Sequence, residues 1–145
     1  MPEKNQGCEC VSAPTLIFPC SGAADVGEIS DRIARRLSRE GIVKMSCLAG
    51  IGAQLSGFVE SAKAARVNIT IDGCPVACSS KTIENLGLEP KSFVLTDMGL
   101  VKGKTPVDDH VIQELSEAIK KTLTEENVNA TDKKPFSKTG GCCSS

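Results

Sequence analysis

The stretch that decides the fold is Thr15–Cys47, TLIFPCSGAADVGEISDRIARRLSREGIVKMSC. It opens with an apolar run, Thr15 to Pro19, that reads as a strand ending at Cys20. Ser21-Gly22 turns the chain. Val26, Ile29, Ile33 and Leu37 then recur at helical spacing, with Arg35, Arg36 and Glu40 on the opposite face. Gly41 stands where such a helix stops, and Ile42 to Cys47 reads as a second strand.

The alternation continues outward from this unit. LAGIG, residues 48–52, reads as a glycine-rich turn, followed by a helix through Leu55, Val59 and Ala62. Val67 to Ile71 is a third strand of β-branched residues, running into Asp72-Gly73-Cys74-Pro75. Pro75 suits the first turn of a helix, expected to end near Leu86-Gly87. Phe93 to Thr96 reads as a fourth strand. Thr105 to Asp108 starts a last helix, whose buried stripe is Val111, Ile112, Leu115, Ile119 and Leu123. Strands alternating with helices imply an α/β fold: an open, mostly parallel four-stranded sheet with helices on both faces, a Rossmann- or flavodoxin-like three-layer sandwich. Strand order is left open. The domain is expected over 14–124, between a flexible leader, 1–13, and a flexible tail, 125–145, that ends in cysteines and has no hydrophobic period.

Composition narrows the function. The 17 Lys and Arg balance 18 Asp and Glu, which argues against a nucleic-acid partner needing a basic face. With no Trp, no Tyr and four Phe there is no base-stacking platform either. No apolar run approaches the ~20 residues of a membrane helix, and nothing after Met1 reads as a signal peptide. A cytoplasmic protein with no membrane partner is expected. There, the 8 cysteines read as metal ligands or redox groups before they read as structural bridges.

Four of them share a placement. Cys20, Cys47 and Cys74 each follow a strand, and Cys78 stands four residues on, at a helix start. Ligands of open α/β sheets bind beyond the carboxyl ends of the strands. On a helix, residues four apart share a face, so Cys78 is expected to point with Cys74. Four thiolates gathered there would hold Zn²⁺ tetrahedrally, or an iron–sulfur cluster. The competing reading is that some of these are merely buried cysteines, packing as small hydrophobes. No C-x2-C pair is present, so the argument rests on strand ends rather than on a finger-like spacing.

PCSGAADVGEI around Cys20, KMSCLAGIGA around Cys47 and IDGCPVAC at Cys74 and Cys78 resemble the DGC-domain family of zinc-binding proteins, over about residues 15–122. The family's name is the Asp72-Gly73-Cys74 of this chain. The resemblance implies four chelating cysteines, matching Cys20, Cys47, Cys74 and Cys78, and says nothing of Cys8, Cys10, Cys142 and Cys143. Those four are auxiliary thiols in the tails, either soft-metal carriers feeding the fixed site or spare thiols.

Other motifs fall away. Gly50-Ile51-Gly52 imitates a dinucleotide fingerprint, but its third glycine position is Leu55. No cysteine has the Arg six residues on that a phosphatase loop needs, and a thioredoxin-like C-x-x-C is missing. His110 reads as a solvated helix-start residue, and Asp72 as a turn or helix cap more than a general base. Two functions remain: a metal-binding protein, for Zn²⁺, acting as carrier or sensor, or an iron–sulfur, redox-active or sulfur-transfer protein using the same cysteines.

Overall fold

The computed structural model describes residues 13–131. Four parallel strands form one sheet in the order β2-β1-β3-β4: β1 is Thr15–Pro19, β2 Lys44–Met45, β3 Val67–Asp72 and β4 Lys91–Val94. The helices are α1, Asp25–Arg39; α2, Leu48–Gly52; α3, Ser56–Ala64; α4, Cys78–Glu84; and α5, Asp109–Thr131. The sheet is open and all-parallel, as the alternation of strands and helices implies.

Strand alternation sorts the core into two layers. Ile17, Ile69 and Ile71 point to one face, where they pack with Ile29, Ile33 and Leu37 of α1 and Ile112, Leu115 and Ile119 of α5. Leu16 and Phe18 point to the other, against Ile51 of α2, Ala62 of α3 and Ile83 of α4. Helices of one crossover hand must divide this way: the step from β1 to β2 runs opposite to those from β2 to β3 and β3 to β4. Each fully buried Ile contributes roughly 1.5–3 kcal/mol by leaving water.

The first helix obeys its pattern: Val26, Ile29, Ile33 and Leu37 are buried. Gly41 ends it in a left-handed conformation, φ 74°. The Gly41 amide donates to the Ser38 carbonyl and the Ile42 amide to that of Leu37. That cap removes Ile42 from the second strand. Cys47 already starts α2, so β2 keeps two residues instead of the six of Ile42–Cys47.

Three other expectations are corrected. LAGIG is not a turn but is itself α2. A left-handed Gln54, φ 56°, separates it from α3, with Leu55 outside both helices as the N-cap of α3. The fourth strand starts two residues earlier than expected, because Ile71 pairs Phe93 and Asp72 pairs Val94 before the chain turns at Val94–Asp97. At the end of the domain, α5 runs on to Thr131, into the segment read as tail. Its start follows Asp108, whose Oδ1 accepts the Val111 amide at 2.9 Å.

Candidate functional site

The carboxyl edge of the sheet is organised around β1 and β3. The chain moves one way from β1 to β2 and the other way to β3, so the crevice beyond β1 and β3 is the topological switch point, where ligands bind in sheets of this kind. Cys20 follows β1 there, and its amide donates to the Ile71 carbonyl at 2.9 Å. Its Sγ accepts the Gly73 amide at 3.3 Å and lies 3.3 Å from Ser30 Oγ, one turn into α1. Ser30 spends its single proton on the Gly27 carbonyl at 2.9 Å. The Cys20 S–H therefore donates to Ser30 Oγ, and the half-buried thiol has both its donor and its acceptor capacity in use.

This contact needs a glycine at 73. A Cβ there would meet the Val26 carbonyl carbon at 2.7 Å, so only glycine lets the loop after β3 lie on the first turn of α1. Close approach, not a left-handed turn, is the reason for the glycine. The left-handed residue is Ala77, φ 53°.

Asp72 is a cap, one of the two roles its place before Gly suggests. Buried at the end of β3, its carboxylate accepts the Ser79 amide at 2.7 Å, the Ser80 amide at 3.0 Å and Ser80 Oγ at 2.7 Å. It thus closes the first turn of α4 from across the loop. Ser80 Oγ also lies 2.8 Å from Thr70 Oγ1 and 2.8 Å from Ser92 Oγ, so the buried polar cluster is paired throughout.

Pro75 does not open the helix. Cys74 to Ala77 is a turn, with the Ala77 amide on the Cys74 carbonyl at 3.1 Å, and α4 begins at Cys78. Cys74 and Cys78 are therefore not one helical turn apart on one face, and that argument for their convergence fails. Cys78 is exposed and Cys74 half-buried. Lys102 Nζ lies 3.7 Å from Cys74 Sγ. The loop that carries Lys102 is tied to the start of α1 by Asp25, whose carboxylate accepts the Gly103 amide at 2.9 Å and the Thr105 amide at 3.1 Å. The Gly103 and Val26 amides hold the Asp25 carboxyl below its ordinary value of 3.8. Sequence reasoning missed both Lys102 and Asp25, and an acidic residue in the first turn of a helix announces nothing but its dipole.

Cys47 is exposed, at the N-cap of α2. It and Cys20 line one groove of about 1270 Å³ along the β2 edge, between the turn after β1 and α3. Among the described residues, no three or more of His, Cys, Asp and Glu lie close enough together to hold a metal ion. As placed, Cys20, Cys47, Cys74 and Cys78 share an edge but do not form the tetrahedron that Zn²⁺ or a cluster needs. His110 is exposed, in the first turn of α5. Cys8, Cys10, Cys142 and Cys143 lie outside the described residues. No described helix is long and apolar enough to cross a membrane.

The fold and this edge define an open, all-parallel α/β domain with cysteines beyond the carboxyl ends of its strands. The chain belongs to the DGC domain family, which it matches over residues 16–119. It is also similar to the anaerobic and virulence modulator AnvM of Pseudomonas aeruginosa, at 32% identity over 88 residues, 60% of this chain and 67% of that protein. No solved structure matches the chain.

Proposed function

We propose that this DGC domain acts through its thiols, exchanging bonds at sulfur one or two cysteines at a time, in a modulating role like that named for AnvM. The observation that carries the reading is the unequal state of the four sulfurs. Cys20 is held by Gly73 and Ser30, Cys74 is partnered by Lys102, and Cys47 and Cys78 are exposed. A structural metal site needs its ligands within bonding reach of one ion, whereas thiol exchange needs accessible sulfurs beside supported ones. The working thiols are Cys47 and Cys78, and Cys20 and Cys74 are the supported ones behind them.

A second reading keeps the Zn²⁺ ion with all four cysteines as ligands. It is favoured by their common placement on one sheet edge, and it requires their loops to draw together. One experiment separates the two. Reduced protein, prepared without oxygen, is alkylated briefly and each cysteine is followed by mass spectrometry, alongside elemental analysis. The thiol reading expects Cys47 and Cys78 to react faster than Cys20 by on the order of tenfold, with no stoichiometric metal. All four protected until a chelator is added, with one equivalent of zinc, overturns it in favour of the zinc site. The same protection with iron and a brown colour would favour the cluster.

A further inference from the structure

We propose that the groove along the β2 edge binds a small carboxylate-bearing thiol in its disulfide form, and that Cys47 exchanges with it; this deepens, and rests on, the thiol reading above. The groove, about 1270 Å³, is larger than the roughly 300–1,000 Å³ of ordinary small-molecule sites. It has room for a peptide-sized disulfide. Its walls come from separate parts of the chain: Cys20 and Ser21 after β1, the segment from Lys44 to Ala49, and Phe58 and Ser61 of α3. The Phe58 ring is backed by Gly50, where a Cβ would come within 2.5 Å of the ring, so this apolar wall is built against backbone.

The charge of the groove selects the ligand. Lys44 and Arg35 line it, with Asp31 as the single acid among the described residues. Arg35 donates through Nε to Asp31 at 2.6 Å, with a longer 3.4 Å contact from Nη2, so these two charges largely offset each other and Lys44 carries the groove's excess positive charge. Lys44 lines the groove and is exposed. An exposed cation at the mouth of a groove favours an anionic ligand by complementary charge.

Of the two sulfurs lining the groove, Cys20 donates to Ser30 and accepts from Gly73, whereas Cys47 is exposed. Cys47 is therefore the attacking thiol. Its thiolate attacks one sulfur of the bound disulfide, forming one S–S bond to Cys47 as the ligand's own S–S bond breaks. The other half of the ligand leaves as a thiolate and takes up a proton. The ligand disulfide is the oxidant and Cys47 the sulfur that is oxidised.

The test uses the full chain and two probes: oxidised glutathione, which is anionic, and hydroxyethyl disulfide, which is neutral. The expected result is a mixed disulfide at Cys47, and a preference for the anionic probe that falls roughly threefold in Lys44→Gln, the size of effect expected for one exposed charge. Added salt should lower the preference too. Lys121→Gln, on α5 and outside the groove, should leave it in place. Adduct formation first at Cys74 or Cys78, or an equal preference in the two lysine variants, overturns the groove assignment and leaves the thiol reading standing. No adduct at any cysteine with either probe overturns the thiol reading itself.

Discussion

Beyond β1 and β3 the chain closes on itself, while beyond β2 it stays open. On the closed side, Gly73 lies on Val26, the Cys20 sulfur takes the Gly73 amide, and Asp72 caps α4 across the turn that carries Cys74. On the open side, a two-residue strand leads straight into Cys47, whose side chain is exposed beside a groove. Both sides present a cysteine just past a strand. The difference teaches that position at a strand end decides where a thiol lies, while the packing of its loop decides whether it is held or available.

If the closed side is held by Asp72, removing its carboxylate should have the largest effect. Asp72→Ala leaves two amides of the first turn of α4 and one hydroxyl without their buried acceptor. The expected loss is about 2–4 kcal/mol of unfolding free energy by urea titration, the scale of a lost cap plus unpaired buried donors. It should also speed alkylation of Cys74 and Cys78 relative to Cys47, because the loop carrying the first two would loosen. A loss below about 0.5 kcal/mol, the size typical of a neutral surface change, would break the comparison.

Next comes the glycine contact. Gly73→Ala places a methyl 2.7 Å from the Val26 carbonyl carbon and 2.8 Å from its carbonyl oxygen. Backbone must shift, at a cost of about 1–3 kcal/mol, and the Gly73 amide should leave the Cys20 sulfur. Gly57→Ala, in α3 on the open side, meets nothing within 4 Å and should raise stability by about 0.5 kcal/mol. Opposite signs in thermal unfolding support the contrast; a harmless Gly73→Ala sinks it.

Much of this architecture is legible in the residues, and the parts that are not have physical reasons. The spacing of Val26, Ile29, Ile33 and Leu37, with Gly41 after them, marks α1 because burial and the left-handed cap leave local signatures. The break between α2 and α3 leaves none, since Gln54 takes the left-handed position where glycine would be the signal. Strand ends located Cys20, Cys47 and Cys74 beyond the sheet. Pro75 misled because a proline fits a tight turn as well as a first helical turn, and the turn won by placing Ala77 left-handed. The partners of the site were out of reach of any local pattern: Lys102 meets Cys74 across 28 residues, and Asp25 meets Gly103 across 78.

The smallest expected effect sharpens the closed side at its rim, where Asp25 ties the 101–105 loop to the start of α1. Its carboxylate accepts the amides of Gly103, Val26 and Thr105, and these bonds to the charged form hold its folded pKa below the ordinary 3.8. A carboxyl depressed on folding stabilises the fold above its unfolded pKa, and that contribution disappears as pH falls through the lower folded value. Asp25→Asn keeps one acceptor oxygen but has no charge to lose, so its stability should not share this pH dependence. The difference in urea midpoint between wild type and Asp25→Asn should therefore be constant from pH 7 down to about 5 and shrink below 3.8. In the same variant Lys102 should be released from Cys74, and Cys74 alkylation at neutral pH should change while that of Cys47 does not. A midpoint difference that stays the same through the acid range would show that the amides of the 101–105 loop do not depend on the Asp25 charge, and the closed side would then end at Gly73.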